Sequence, residues 1–155
     1  MNILVLCTGN SARSILLESL LNTLGQGRLR AFSAGSKPTG QVHPQSLTLL
    51  TREGQDISGV RSKSWDEFAE DGAPEMDMVI TVCGSAAGET CPMWPGAPVR
   101  AHWGVEDPAA ADKADWDAAF DTAYAILGRR ARALLDLPLE TLSRDALQVE
   151  LNRIG

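Results

Sequence analysis

Close to the start of the chain an apolar run gives way to a cysteine, and seven residues later a second apolar pattern begins with a different period. Ile3-Leu4-Val5-Leu6, within Met1 to Leu6, reads as a buried strand. Ile15, Leu17, Leu20, Leu21 and Leu24 recur near helical spacing from Ser14 onward. A buried strand that turns at once into a buried helix is the opening of an α/β unit, and the turn is Cys7-Thr8-Gly9-Asn10-Ser11-Ala12-Arg13-Ser14. Its small residues Thr8, Gly9, Ser11 and Ala12 allow the backbone to curl until several N–H groups converge on one point, backed by the positive end of the helix. Arg13 adds a planar fork of donors suited to a tetrahedral oxyanion. Amides, helix terminus, guanidinium and the Ser14 hydroxyl all favour negative sulfur, so Cys7 is expected to be a thiolate and a nucleophile at neutral pH. A lone cysteine at a strand end would read more simply as a small buried hydrophobe. The parts around Cys7 argue for the reactive site.

The rest of the chain alternates strand and helix. Leu29 to Ala34 reads as a second strand ending at Gly35, and His43-Pro44 opens a helix carrying Leu47, Leu49 and Leu50, with His43 expected as a cap or surface residue. Ser64-Trp65-Asp66-Glu67 has capping-box spacing and predicts a helical turn with Trp65 packed inward. Met76 to Val82 predicts a third strand ending at Cys83, and Val99 to Trp103 a fourth, with His102 as a strand-end residue. Trp116, Phe120, Ala123, Leu127, Ala131 and Leu134 trace one face of a long helix, and Leu142 to Ile154 a last amphipathic one. The expectation is one domain over 1–155, a three-layer α/β fold with a small parallel four-stranded sheet and helices on both faces.

Cys7 and Cys83 both stand at the C-terminal end of a strand, where open parallel sheets bind ligands, so the two are candidates for one crevice. Cys91 follows after Gly84, Ser85, Ala86, Ala87 and Gly88, a composition of low local stability. Were this stretch helical, the two Cα atoms would lie roughly 12 Å apart. A disulfide tolerates no more than about 7 Å, so a Cys83–Cys91 bridge requires local refolding. Asp107, fixed in extended geometry before Pro108, can aim its carboxyl into a cleft, or can serve as an ordinary turn residue. A Cys3His zinc site from Cys7, Cys83, Cys91 and His102 lacks the close cysteine pair of structural sites.

The Cys7-to-Ser14 loop resembles the active-site loop of the low-molecular-weight protein tyrosine phosphatase superfamily. That superfamily's phosphatases carry an aromatic beside the Asp-Pro pair, where this chain has Ala109-Ala110. The resemblance is sharper to the arsenate reductases on the same fold. It runs through Phe32-Ser33-Ala34-Gly35, Ser62-Lys63-Ser64-Trp65, Ile80-Thr81-Val82-Cys83, Ala86-Ala87-Gly88-Glu89 with Cys91-Pro92, and His102-Trp103-Gly104 with Asp107-Pro108-Ala109. It implies that arsenate is held by Thr8, Gly9, Asn10, Ser11, Ala12, Arg13 and Ser14 and attacked by Cys7. Asp107 then protonates the departing oxygen, and disulfides pass from Cys7–Cys83 to Cys83–Cys91. Thioredoxin is the implied reductant, with glutaredoxin and glutathione, or another low-molecular-weight thiol, as alternatives, and phosphate as a weak competitor. A phosphomonoesterase is the alternative activity. No organic cofactor is implied. Some relatives hold an alkali cation beneath the loop; its ligands would be Asn10, Glu18 and Ser33, and a further acidic ligand has no counterpart around Arg61-Ser62-Lys63. Ala12 stands where many members have a second loop cysteine outside the relay.

A net charge of −6 argues against nucleic acid as the main partner, so an anionic substrate must be drawn by local fields. The hydrophobic content of 44% holds no run long enough to span a bilayer, and the start lacks a basic leader, which leads to the expectation of a cytoplasmic protein and a monomer.

Overall fold

The structure is a computed structural model, and it describes residues 1–84, 94 and 98–155. Four parallel strands, β1 (Asn2–Leu6), β2 (Arg30–Ala34), β3 (Met78–Thr81) and β4 (Val99–His102), form one sheet in the order β2-β1-β3-β4. Among the described residues the helices are α1 (Arg13–Gly25), α2 (Pro44–Arg52), α3 (Trp116–Leu135) and α4 (Arg144–Ile154), with 3-10 turns at Trp65–Phe68, Pro108–Ala110 and Lys113–Asp115. Each predicted strand and helix is present, the strands shorter at their ends by one to three residues. None of the described helices is long and apolar enough to cross a membrane.

The two central strands are buried on both faces, which is why they read as unbroken apolar runs. Ile3, Val5, Met78 and Ile80 point to the helical side, where they meet Ile15, Leu16, Leu20, Phe120, Leu127 and Leu151. Leu4, Leu6 and Val79 point the other way, onto Phe68, Met76 and Trp94. That smaller core is closed by the Trp65–Phe68 turn, with Trp65 half-buried against Trp94 at 6.0 Å between ring centroids. Edge strand β4 alternates instead, turning Arg100 and His102 outward.

Two caps set the entry angles of helices near the loop. His43 caps α2 by accepting a hydrogen bond from the Gln45 N–H on Nδ1, and its ring packs on Trp116 and Phe120. Ser64 caps the 3-10 turn by accepting from the Asp66 N–H. Glu67 is not in the box expected for it and pairs instead with Arg61 at 2.6 Å.

Candidate active site

Sheet register brings the two cysteines together. Leu6 lies opposite Thr81 on the neighbouring strand, and the ladder continues one step, with Val82 N–H donating to Leu6 O at 3.0 Å. Cys7 and Cys83 therefore leave adjacent strands at the same end of the sheet. Both are buried and neither is in a disulfide. Cys83 Sγ accepts from the Thr8 N–H at 3.3 Å and lies 3.5 Å from the Thr8 hydroxyl, so the second sulfur sits on the rim of the loop built around the first.

The loop's shape comes from what holds its outer side. Thr8 O accepts from Lys37 N–H at 3.0 Å, Gly9 O from Thr39 N–H at 3.0 Å and Ser62 Oγ at 3.1 Å, and Ser11 O from His43 N–H at 3.0 Å and Ser46 Oγ at 2.9 Å. In a planar trans peptide the following N–H points opposite to the carbonyl. Tying the carbonyls of residues 8, 9 and 11 outward therefore turns the N–H groups of 9, 10 and 12 inward. Asn10 completes the curl with φ of 47°, a left-handed conformation that asparagine tolerates better than most residues. Its fully buried side chain donates to Ser14 Oγ and Ser33 Oγ and accepts from Lys63 N–H. Gly35 lets the loop approach β2: a Cβ there would lie 2.3 Å from Thr8 O and 2.7 Å from Cys7 O.

Arg13, the first residue of α1, is 13% exposed at its side chain. One terminal nitrogen donates to Val105 O at 2.8 Å and the other stands 3.6 Å from Asp107. Its Nε is buried and has no partner among the described residues, a costly condition unless the donor is meant for something that binds there. The cleft these groups surround has a volume of about 380 Å³ and is bounded by residues 7–13, Thr39, Cys83, Asp107 and Ala109. Larger cavities lie elsewhere, and the 680 Å³ one flanks edge strand β2. The chemistry collects in the smaller cleft because that is where the amides converge.

One expectation is corrected. The Cys7 thiol is pushed up from the ordinary cysteine range and not down, first by the neighbouring Cys83 thiol and second by burial. Arg13 and the Gly9 N–H pull in the predicted direction and are outweighed. The sequence reading counted the groups that favour negative sulfur and omitted the neighbouring sulfur.

Asp107 is both of the things proposed for it. It caps the 3-10 turn Pro108–Ala110, accepting from the Ala109 N–H at 3.0 Å, and its other oxygen faces Arg13 across the cleft, with the side chain 43% exposed. His102 lies outside, its Nδ1 2.7 Å from the Thr81 hydroxyl. Burial lowers the pKa of His43, and Asp107 acts against that shift. Cys91 and the stretch before it lie outside the described residues, and no metal-binding group of His, Cys, Asp and Glu occurs among the described ones.

The residues expected to surround an alkali cation do meet beneath the loop, but they are already engaged. Asn10 spends its oxygen on Lys63 N–H, and the Lys63 ammonium stands 3.9 Å from Glu18. An added cation fits this set poorly. Sequence reasoning missed Thr39, Ser46 and Val105, which act through contacts to or from main-chain atoms that no motif spells out. Gly35, Ser62 and Lys63 lay inside motifs already noted, without a reason for their presence.

Comparison with known proteins agrees with this geometry. Residues 2–148 match the family described as low molecular weight phosphotyrosine protein phosphatase. The arsenate reductase of Bacillus subtilis (strain 168) is 38% identical over 106 residues, 68% of this chain and 73% of that protein. The glutaredoxin arsenate reductase of Synechocystis sp. is 32% identical over 106 residues, 68% of this chain and 77% of that protein. The solved thioredoxin-dependent arsenate reductase of Corynebacterium glutamicum superposes with a TM-score of 0.58 at 26% identity, over 81% of this chain and 57% of that one. The chain belongs to the low molecular weight phosphotyrosine protein phosphatase family, within its arsenate reductase branch.

Proposed function

We propose that this protein reduces arsenate to arsenite through a thiol relay. The observation that carries the proposal is the meeting of two thiols at an inward-facing ring of amides, Cys7 within it and Cys83 on its rim, beside an Arg13 Nε that has no partner among the described residues. The loop N–H groups and Arg13 hold the oxyanion and stabilise the charge that grows on its oxygens. The Cys7 sulfur passes its proton to an oxygen of the entering arsenate and forms an S–As bond. One oxygen leaves as water, protonated by Asp107. Cys83 sulfur then attacks Cys7 sulfur, and the S–As bond breaks with its electron pair on arsenic. As(V) becomes As(III), arsenite departs, and a Cys7–Cys83 disulfide remains. Cys91 attacks Cys83, which moves the disulfide to Cys83–Cys91 and frees Cys7. A dithiol protein of the thioredoxin class supplies the two electrons that reopen it. The Thr8 N–H and hydroxyl at Cys83 suit the second step, since they stabilise negative sulfur on the attacking residue.

Arsenite formation from arsenate, measured over many turnovers with a thioredoxin couple beside a glutaredoxin couple, tests this. Cys7→Ser, Cys83→Ser and Cys91→Ser are each expected to abolish turnover with thioredoxin. Full rates in Cys83→Ser and Cys91→Ser would remove the relay. Aryl phosphate hydrolysis at substantial rates by the double variant would favour a phosphatase, and full rates with glutaredoxin alone would reassign the donor.

A further inference from the structure

Beneath the loop, on the side away from the cleft, lies a second buried polar cluster that the relay does not use. Glu18 on α1 and Lys63 on the segment after α2 are 14% and 7% exposed at their side chains and stand 3.9 Å apart. Burial pushes each toward its neutral form, raising Glu18 and lowering Lys63, and each one's charge opposes the other's shift. The hydroxyl and main-chain N–H of Ser33 also lie beside Glu18 and favour its charged form. Ser33 Oγ in turn accepts from Asn10, the left-handed residue of the loop. Residue 63 closes the circuit from the other direction, its N–H on Asn10 Oδ1, its carbonyl on Gly35 N–H and its ammonium on Arg61 O at 3.0 Å.

We propose that the positive charge beneath the loop is built into the chain: the Lys63 ammonium, held against Glu18, occupies the place of an alkali cation and fixes Asn10 without any added ion. Lys63 is then a positioning residue, acting on the oxyanion through Glu18, Ser33 and Asn10. The proposal rests on the loop's oxyanion-holding role proposed above and not on the thiol relay. A carboxylate buried this far is tolerated only with a counter-charge, and removing one partner leaves the other stranded. Without the ammonium, Glu18 must take up a proton or recruit a cation. The 680 Å³ groove beside β2, whose walls include Glu18, Arg30, Phe32, Arg61 and Lys63, gives a small hydrated ion a route in.

The test uses Cys7→Ser as the parent, so that anion binding is read without chemistry. Inorganic phosphate affinity by calorimetry and the thermal midpoint are measured in potassium, sodium and choline chloride at equal ionic strength. The parent is expected to be indifferent to the cation. Adding Lys63→Met should weaken phosphate binding roughly tenfold in choline chloride, a typical coupling between linked sites. Its midpoint should fall by roughly 10 °C, as expected for a broken buried pair in a domain this size. Potassium should restore part of both losses. Adding Glu18→Gln to Lys63→Met should remove the response to potassium, because no stranded carboxylate remains. A parent that binds phosphate more than about threefold tighter in potassium than in choline, beyond ordinary screening, would overturn the proposal. So would a Lys63→Met variant with identical affinity and midpoint in all three salts. If Lys63→Met does not fold, the parent and the Glu18→Gln/Lys63→Met pair still decide it. Absence of phosphate binding in every protein would count against the oxyanion reading itself, while the midpoints would still decide the question of the cation.

Discussion

Two loops meet across the cleft, and they are held in opposite ways. The Cys7–Ser14 loop has three carbonyls tied by five donors, a buried asparagine beneath it and a glycine behind it. The loop carrying Asp107 is held by scattered single bonds: Val105 N–H to Val82 O, Val105 O to Arg13, Gly104 O to Arg130, Ala111 O to Trp116, and a half-exposed carboxylate that caps its own turn. The contrast matches the tasks proposed for them. Charge stabilisation needs donors fixed before the reaction, since reorganising them would cost what they contribute. A proton donor must take up and release a proton in each cycle, so exposure to water serves it.

The contrast breaks most visibly at Asp107. Asp107→Asn keeps the cap on Ala109 N–H and removes the exchangeable proton together with the charge that faces Arg13, so arsenite formation should fall by about 10²–10⁴-fold, the usual worth of a positioned general acid. Phosphate binding should not weaken, and the thermal midpoint should barely move. A midpoint that fell together with the rate would mean that Asp107 braces the fold, and that the loops do not divide the work in this way.

Gly35→Ala attacks the other side. A methyl 2.3 Å from Thr8 O and 2.7 Å from Cys7 O can be relieved only by moving backbone, because both neighbours are main-chain atoms. Overpacking of this kind costs about 1–3 kcal/mol. The expected result is a midpoint lower by several degrees together with weaker phosphate binding, whereas Asp107→Asn spares both. Equal phosphate affinity in Gly35→Ala and the parent would show that the loop tolerates displacement and is not preorganised.

The strands, the helices and the Cys7–Arg13 constellation were legible in the sequence because each is written in local pattern: apolar runs of strand length, helical spacing, small residues at a turn. Gly35 and Lys63 were visible as residues and opaque as causes. The close approach at Gly35 is to Thr8, across the β1–β2 pairing, and the Lys63 ammonium matters only because β2 sets Ser33 beside Glu18. The direction of the Cys7 shift was missed for the same reason. Its largest cause, Cys83, is a neighbour through sheet register and distant in the chain.

That correction is itself measurable. Because the Cys83 sulfur is the first cause of the raised Cys7 thiol, removing it should move Cys7 titration to lower pH, giving more thiolate near neutrality. Alkylation of Cys7 by iodoacetamide, followed by mass spectrometry across pH, should rise at lower pH in Cys83→Ala/Cys91→Ala than in Cys91→Ala. The opposite order would make Cys83 a donor that stabilises the Cys7 thiolate, and would restore the lowered thiol first expected from the sequence.

The smallest effect tests how the loop's rigidity is distributed. Ser62 Oγ donates to Gly9 O at 3.1 Å and accepts from the Gly40 N–H at 3.2 Å, so it links the loop to the segment that follows β2. Gly9 O keeps a second donor, the Thr39 N–H at 3.0 Å. Ser62→Ala should therefore cost only about 0.5–1.5 kcal/mol, one net hydrogen bond, with phosphate affinity and arsenite formation unchanged within error. Such a result would mean that the carbonyls are over-determined and that no single outer contact sets the amide ring. If Ser62→Ala instead weakened phosphate binding as much as Gly35→Ala, the ring would hang on one hydroxyl, and the difference in stiffness between the two loops would be smaller than their hydrogen bonds imply.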